Sequence, residues 1–489
     1  VVLLRSGKPR VFCAGANIRM LAGATHAHKV NFCKFTNETR LGIEDLSEAS
    51  GLKSICVING TAAGGGYELA LAADHIMLVD DGSSSVSLPE LPLLAVLPGT
   101  GGLTRVTDKR KVRRDHADYF CTTEEGIKGK RAVEWRLVDE VVPGSKFDEA
   151  IAERAKEFAG KARRANGATG IALTPLARTR SDGGIEYSSV AAMVADRIAT
   201  VTLRGPDTPP PASAEAMVGE GAKFWPLRIA RELDDAILDI RLNEFDVAAI
   251  VFKTAGDPAD VLAYDAFLDA NAGHWLVREI RGLWKRVLKR VDLTSRSLVA
   301  LVEPGSCFAG TLLELVLAAD RSYMLTPSLP SPASGGGIGR GLDNRAPSSI
   351  ALSEANFGAY PMSNGLTRIA SRFLANPAEV EVARVEAGRM LDAETAEQMG
   401  LVTFALDDID WNDEVRVFLE ERASFSPDAL TGLEANLRFG GPETMESKIF
   451  ARLTAWQNWI FQRPNAVGED GALKRYGTGQ RPVFDTKRV

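Results

Sequence analysis

The chain has 489 residues, of which 45% are hydrophobic and 25% charged, and its formal net charge is −6. This composition is typical of a soluble globular protein with more than one domain, and it excludes disordered, collagen-like and disulfide-scaffold proteins. The acidic excess argues against a binder of nucleic acid or of anionic membranes, because both ligands are negatively charged.

Five scattered cysteines without a Cys-x-x-Cys motif indicate reduced thiols rather than a disulfide framework. No stretch of the sequence has enough unbroken apolar residues to span a bilayer, and the apolar start is too short to be a signal peptide. The sequence therefore predicts a cytoplasmic protein that does not enter membranes.

Strand and helix signals alternate over the first 145 residues. Short β-rich runs predict strands at Val1–Leu4, Ser54–Ile58 and Ile76–Val79. Helices are predicted at Lys29–Ala49, which is charged and amphipathic, and at Tyr67–Ala73, which follows a run of glycines. This alternation predicts an α/β fold with a mostly parallel sheet covered by helices.

Several sequence blocks occur twice and in the same order. Ile58–Asp74 has a weaker counterpart in Val302–Asp320, and Leu88–Arg105 has one in Leu352–Arg368. Matched blocks in one order indicate an internal duplication. The chain is therefore predicted to contain two copies of one fold.

This duplication suggests three regions. Residues 1–184 are expected to form a catalytic domain, residues 185–411 a degenerate second copy, and residues 412–489 a helical C-terminal region and tail. The second copy is preceded by strand and helix signals that have no counterpart before Val1, so we expect an N-terminal strand–helix segment to be missing from this numbering. Residues 205–226 are then a loop within the second copy, with an interdomain linker as the alternative.

Two segments of small residues follow predicted strands. They contain Ala14, Gly15, Ala16 and Asn17 in the first segment and Gly64, Gly65 and Gly66 in the second. Small residues let a backbone approach a ligand closely, and N–H groups at a helix start have no intrahelical acceptor. Two such segments can converge on one oxygen as an oxyanion hole, although each alone could be a packing turn.

Two acidic residues accompany these segments. Glu68 is in the first turn of an apolar helix, where helix capping is the alternative role. Glu90 stands before the apolar run Leu91–Leu97, and a carboxyl group in such surroundings should be desolvated, which raises its pKa and suits acid–base catalysis. Together they predict a proton-shuttling pair beside the oxyanion hole.

These motifs resemble the enoyl-CoA hydratase/isomerase (crotonase) superfamily, well over residues 1–150 and more weakly over 185–410. The resemblance implies two crotonase-like repeats of the ββα-spiral type, the second degenerate. It further implies that the backbone N–H groups of Ala14 and Gly65 polarise an acyl-CoA thioester carbonyl, with Glu68 and Glu90 as the acid–base pair. Asn17 stands where the superfamily usually has aspartate.

Cys33 lies on the predicted helix that lines the acyl pocket in crotonases. A thiol there could help to activate water if its pKa is lowered, and an inert packing role is the alternative. His26 and His28 are expected in a loop, and because no third ligand is evident, no metal site is predicted.

A narrower resemblance rests on the doubled length, the weakened second copy and the ending that contains Arg463–Gly468 and Tyr476–Gly479. It points to ring-cleaving lyases of the superfamily. The implied reaction converts 2,3-epoxybenzoyl-CoA, or the corresponding dihydrodiol, to 3,4-didehydroadipyl-CoA semialdehyde and formate in aerobic benzoate degradation. It needs no cofactor besides the CoA of the substrate, and a homodimer is expected. The alternatives are hydration or isomerisation of an aliphatic enoyl-CoA, and a crotonase-fold binding protein without turnover.

The second copy is expected to be a scaffold without its own activity. It keeps Glu314 and Glu354 in register with the two acids, but Thr311 and Leu312 replace two of the glycines. Side chains there would crowd a thioester oxygen, and Pro258, beside the other segment, has no N–H to donate. Glu314 and Glu354 are therefore predicted to be buried in structural hydrogen bonds or exposed.

Overall fold

The computed structural model describes residues 1–160, 169–326 and 347–488. The chain forms two compact units, Val1–Gly170 and Ile171–Val489. The three regions expected from the sequence, with divisions at residues 184 and 411, stay a prediction.

The first unit contains two parallel sheets, with strand orders β1-β3-β5-β7 and β2-β4-β6. The strands are β1 (Val2–Arg5), β2 (Arg10–Cys13), β3 (Ser54–Ile58), β4 (Gly60–Ala63), β5 (His75–Asp80), β6 (Val86–Ser87) and β7 (Glu140–Pro143). Every residue of β3 is buried, as expected for an apolar strand covered on both faces. The prediction of an α/β fold with parallel strands is confirmed.

Eight α-helices accompany these strands in the described part of the first unit. They are α1 (Ile18–Gly23), α2 (His26–Ser50), α3 (Gly65–Ala72), α4 (Glu90–Leu94), α5 (Gly102–Thr104), α6 (Arg114–Cys121), α7 (Gly129–Glu134) and α8 (Phe147–Gly160), with a π-helical turn at Arg105–Lys109 and a 3-10 turn at Gly144–Lys146. The Thr25 hydroxyl caps α2 by accepting a hydrogen bond from the backbone N–H of His28 at 3.2 Å. His26 and His28 therefore lie in the first helical turn and not in the predicted loop.

The second unit is built on one sheet of eight strands in the order β15-β14-β13-β12-β11-β10-β9-β8. The strands are β8 (Thr179–Ser181), β9 (Gly184–Glu186), β10 (Val190–Ala195), β11 (Ile198–Arg204), β12 (Ala249–Ala255), β13 (Ser297–Val302), β14 (Arg321–Leu325) and β15 (Phe404–Leu406). Neighbours from β11 to β15 are parallel, and β8 to β11 are antiparallel.

The described helices of the second unit lie between Ala214 and Arg475. They are α9 (Ala214–Glu220), α10 (Trp225–Asn243), α11 (Pro258–Ala270), α12 (Trp275–Leu293), α13 (Gly310–Ala318), α14 (Arg368–Arg372), α15 (Ala378–Val385), α16 (Ala393–Gln398), α17 (Trp411–Ser424), α18 (Pro427–Leu437), α19 (Met445–Ser447), α20 (Thr454–Ile460), α21 (Pro464–Val467) and α22 (Ala472–Arg475), with 3-10 turns at Gly221–Lys223 and Glu354–Phe357 and a π-helical turn at Lys448–Leu453. Residues 205–226 are thus not a simple loop, because α9 lies within them and Ser213 caps it. No described helix is both long and apolar enough to cross a membrane.

The C-terminal tail is fixed to the second unit by a buried arginine. The side chain of Arg488 is 1% exposed and lies 2.5 Å from a carboxylate oxygen of Glu434. The same guanidinium donates to the carbonyls of Ala248 and Ser295 at 3.2 and 3.1 Å. These bonds join the tail to α18 and to the sheet.

Replacing Arg488 by Met should destabilise the second unit, because Glu434 would lose its closest cation while staying buried. We expect a loss of about 3 kcal/mol, the usual magnitude when one partner of a buried ion pair is removed. Urea unfolding monitored by tryptophan fluorescence measures it. Lys487→Met is the matched control, since the Lys487 side chain is 59% exposed and should be replaceable at little cost. Equal stability of the two variants would contradict the assigned role of Arg488.

Candidate active site

Two backbone turns of the first unit touch each other at the ends of neighbouring strands. β2 pairs in parallel with β4, Cys13 opposite Ala62, so the segments after both strands emerge at one sheet edge. A β-carbon at Gly15 would lie 2.8 Å from the Gly65 nitrogen, and one at Gly66 would lie 2.2 Å from the Cys13 carbonyl oxygen. No side chain fits between the turns, which is why glycine is required.

The backbone conformation of these turns also selects glycine. Gly15 has φ +87° and Gly64 has φ +52°, in the region that side chains disfavour. Gly65 is the first residue of α3, so its N–H has no intrahelical acceptor and stands at the positive end of the helix dipole. The structure thus brings the segment of Ala14 and Ala16 next to Gly65, as an oxyanion hole requires.

Asn17 has a local structural role. Its side-chain oxygen accepts a hydrogen bond from the backbone N–H of Met20 at 3.2 Å and so caps α1. This capping keeps the short helix in place directly after the first turn and needs no charge on residue 17.

Glu68 is a buried and fully hydrogen-bonded acceptor. Its side chain is 3% exposed. One oxygen accepts from the backbone N–H groups of Thr100 and Gly102 at 3.0 and 2.8 Å, and the other accepts from the Thr100 hydroxyl. The guanidinium of Arg40 lies 3.7 Å from that second oxygen. Both oxygens of Glu68 therefore have partners in the resting site.

Glu90 has the opposite surroundings. Its Oε2 is buried and has no hydrogen-bond partner among the described residues. Its Oε1 lies 2.7 Å from the point where a β-carbon of Gly64 would stand, so the carboxyl group is directly beside the second turn. Burial, with a further contribution from the nearby charge of Glu68, raises the pKa of Glu90 from 4.5 to about 7. A carboxyl group with this pKa can take up and release a proton at neutral pH.

The reason for the burial of Glu90 differs from the one expected. The apolar run after it is largely solvent-exposed, with Leu93 and Leu97 at 56% and 64%. The carboxyl group instead lies against the Gly64 turn. The pKa of Glu90 is thus raised by burial, in the direction that the sequence predicts, while the leucine run itself is exposed.

Cys33 lies on α2 and is half-buried. Burial and the neighbouring Glu68 raise the pKa of the thiol, and the smaller opposing effect of Arg40 does not reverse this. The thiol is therefore protonated at neutral pH, and the lowered pKa that water activation would need is not present. Within the described ranges, no group of His, Cys, Asp and Glu side chains could hold a metal ion.

Two residues of the site were not singled out from the sequence. Thr100 provides a backbone and a side-chain donor to Glu68, and a single threonine in a glycine-rich loop gives no sequence signal of this role. Arg40 is buried and donates to the carbonyl oxygens of Thr100 and Gly65, both at 2.8 Å. A single arginine on an amphipathic helix gives no sequence signal of burial.

The corresponding place in the second unit is occupied by the chain itself. Gly310 has φ +46°, close to that of Gly64, and α13 starts there as α3 does after Gly64. The backbone N–H of Thr311 donates at 2.8 Å to the carboxyl group of Asp265, which also accepts from the hydroxyls of Thr311 and Ser353. The N–H that matches the Gly65 donor is therefore already used.

The two acids of the second unit are where the sequence predicted them to be. Glu314 is buried and accepts from Arg368 and Asn356, both at 2.8 Å. Glu354 is 62% exposed and lies 4.0 Å from Arg384. Neither carboxyl group combines burial with a missing partner, as Glu90 does.

Comparison with known proteins gives matches over part and over all of the chain. The family model for enoyl-CoA hydratase/isomerase matches residues 1–179. A benzoyl-CoA-dihydrodiol lyase of Aromatoleum evansii is 56% identical over 490 residues, which cover 100% of this chain and 85% of that protein.

Solved structures of enoyl-CoA hydratases are also similar. An enoyl-CoA hydratase/carnithine racemase of Magnetospirillum magneticum is 18% identical with a TM-score of 0.41, over 62% of this chain and 97% of that one. An enoyl-CoA hydratase of Bacillus anthracis is 14% identical with a TM-score of 0.41, over 61% of this chain and 100% of that one.

The buried carboxyl group of Glu90 should lower the stability of the folded protein above neutral pH. Its folded pKa of about 7 exceeds the ordinary 4.5, so the folded state binds this proton more tightly than the unfolded state. Stability is therefore lost as pH rises from 4.5 to about 7, and Glu90→Gln removes this loss. We expect the variant to melt above the parent at pH 8 and close to it at pH 4.5.

The exposed Glu354 provides the control for this measurement. Calorimetric scans of Glu354→Gln should differ from those of the parent by the same small amount at both pH values. A Glu90→Gln protein that melts below the parent at pH 8 would show that Glu90 has a stabilising partner when ionised.

Proposed function

Because the chain belongs to the enoyl-CoA hydratase/isomerase family, and within it to the benzoyl-CoA-dihydrodiol lyases, we propose that its first unit opens the oxygenated ring of a benzoate-derived CoA thioester. The substrate is 2,3-epoxybenzoyl-CoA or the corresponding dihydrodiol, and the products are 3,4-didehydroadipyl-CoA semialdehyde and formate. Two molecules of water are consumed when the epoxide is the substrate.

The oxyanion hole is the first component of this mechanism. The backbone N–H groups of Ala14 and Gly65 donate to the thioester oxygen. When the ring carbon–carbon bond breaks, its electron pair moves towards the thioester carbonyl, and the two donors stabilise the negative charge that develops on that oxygen. Gly64 and Gly66 leave room for Glu90 and for the Cys13 carbonyl, and Gly15 places no side chain against the Gly65 nitrogen, while Ala16 keeps the opposite wall small.

Glu90 is the second component and the observation on which the proposal depends. Glu90 is half-buried, its Oε2 is buried without a hydrogen-bond partner among the described residues, and its pKa is about 7. Directly beside the Gly64 turn, it can remove a proton from water or from a ring hydroxyl and return it later.

Glu68 has a different part in the pair. Its oxygens already accept hydrogen bonds from Thr100 and Gly102. We assign it the fixed charge whose repulsion helps to keep the pKa of Glu90 near neutrality. The protonated Cys33 stays nearby as a packing residue or a weak donor.

The second unit is proposed as a degenerate crotonase-like copy without turnover. The parallel run β11–β15, the positive φ of Gly310 and the helix that begins there support the common origin. The carboxyl group of Asp265 accepts a hydrogen bond from the backbone N–H of Thr311, so this N–H is not available to a substrate. This supports the loss of substrate binding in the second unit. We also propose a cytoplasmic homodimer, in keeping with the unpaired cysteines and the acidic composition.

Product analysis tests the proposed reaction. The protein is mixed with 2,3-epoxybenzoyl-CoA and, separately, with crotonyl-CoA, and the products are followed by mass spectrometry and a formate assay. We expect formate and an open-chain CoA semialdehyde from the first substrate and no hydration of the second. Hydration of crotonyl-CoA alone would favour an aliphatic enoyl-CoA hydratase, and turnover of neither would favour a binding protein.

Substitution of Glu90 and of Glu354, one at a time, tests whether the first unit contains the active site and the second unit does not. Glu90→Gln should reduce kcat at least a hundredfold, because general acid–base groups contribute about 10² to 10⁴. The parent's kcat/KM should rise with pH through about 7, and the variant should lose this inflection. Glu354→Gln should retain nearly full activity. Loss of turnover in a folded Glu354→Gln protein would disprove the single-site assignment.

A further inference from the structure

We propose that Arg40 is a positioning residue that aligns the oxyanion donor at Gly65 with the loop that contains Thr100. The inference rests on the proposed function of the first unit and adds a residue to it. Arg40 is on the middle of α2, a helix that belongs to neither the two turns nor the loop, and its side chain is 7% exposed. Burial of a guanidinium at this level requires specific partners.

Besides its ion pair with Glu68 at 3.7 Å, Arg40 binds two backbone carbonyls in different parts of the site. Nη2 donates to the Gly65 oxygen and Nη1 to the Thr100 oxygen, both at 2.8 Å. Gly65 belongs to the start of α3, whereas Thr100 belongs to the loop that donates to Glu68. One planar guanidinium therefore fixes the spacing between the oxyanion segment and the loop, which a flexible ammonium cannot do with the same geometry.

Gly65 needs such an external anchor. It has no side chain through which packing could fix its peptide, and the residue before it has φ +52°. The direction of the Gly65 N–H determines whether it points at the thioester oxygen, and small errors in such positions reduce rates strongly. The hydrogen bond from Arg40 to the Gly65 carbonyl limits rotation of this residue.

The face of α2 around Arg40 supports the same reading of its role. Asn37, one turn earlier, donates to the Gly99 carbonyl at 3.1 Å, and Glu44, one turn later, binds Arg105 at 2.8 Å. The face thus follows the loop and the π-helical turn beyond it. Of these three residues, Arg40 alone also bonds to the oxyanion segment in the described contacts.

Variants of Arg40 test the proposal against a neighbouring control. Arg40→Lys keeps the charge but cannot span both carbonyls, and Arg40→Met keeps only the bulk. Glu44→Gln is the control, because it weakens an ion pair on the same helix face without touching Gly65 or Thr100. For each folded variant we measure kcat and KM with 2,3-epoxybenzoyl-CoA.

A second measurement does not depend on turnover. Benzoyl-CoA has no ring oxygen and so should bind without reacting. Isotope-edited infrared difference spectra of its ¹³C-labelled thioester carbonyl report how strongly the oxyanion hole polarises that bond. The parent and Glu44→Gln should shift the band to lower wavenumber on binding, whereas Arg40→Met should lose most of the shift and Arg40→Lys part of it.

The expected kinetic result is a fall in kcat of about tenfold to a hundredfold for Arg40→Met, with KM changed less than about threefold, since misplacement of a donor costs rates of this order. An unchanged kcat and carbonyl band in Arg40→Met would overturn the proposal, as would the absence of a shift in the parent. If neither Arg40 variant folds, the proposal is also overturned. Arg40 would then be required for folding and not specifically for positioning the Gly65 donor. A shifted band without formate release would instead refute the ring-cleaving reaction and leave the role of Arg40 intact.

Discussion

The burial of one carboxyl group, that of Glu68, determines the arrangement around it. A buried acid needs donors for both oxygens, and they come from a loop far along the chain, at Thr100 and Gly102. A β-carbon at Gly102 would lie 2.9 Å from Glu68, so the loop must approach through a glycine. The loop is in turn bonded to Arg40, which also binds the start of α3. Removing the acid would leave several donors without acceptors at once.

The chemistry depends on the contrast between this acid and its neighbour. Hydrogen bonds satisfy Glu68, and the same site leaves an oxygen of Glu90 buried and unsatisfied within the described structure. An unpartnered buried acceptor costs stability, and natural proteins depart from full hydrogen bonding mainly at functional sites. The two acids are therefore not interchangeable, although both stand at helix starts in the sequence.

The sequence was sufficient for the features that depend on local patterns. The strands at Ser54–Ile58 and around Ile76, the helix α2 and the close approach of the two glycine turns follow from apolar runs and small residues. Glu68 could be named because it follows the glycine run, and Glu90 because it stands before an apolar run. The glycine-rich composition of Gly335–Gly341 predicts a flexible surface insertion, and this segment lies outside the described residues.

Contacts between distant residues could not be predicted in this way. The hydrogen bonds of Arg40 to Gly65 and Thr100 span 25 and 60 residues of sequence. Helical periodicity indicates on which face of α2 Arg40 lies, but not which part of the chain packs against that face. The bonds of Arg488 to Glu434 and Ala248 span 54 and 240 residues. The exposure of the leucines after Glu90 could not be predicted either. An apolar sequence does not by itself show whether its side chains are buried or exposed at the surface.

The position of Asp265 affects any ligand that approaches the start of α13 in the second unit. Its carboxyl group is tethered to the chain beside the start of α13, where it accepts the N–H of Thr311. Because this carboxyl group belongs to the same chain, its effective concentration at the Thr311 N–H is high. A thioester oxygen would have to displace it in order to accept a hydrogen bond from that N–H. Engineering a second functional site would therefore have to begin with the removal of this internal competitor, before any glycine is introduced at 311 or 312.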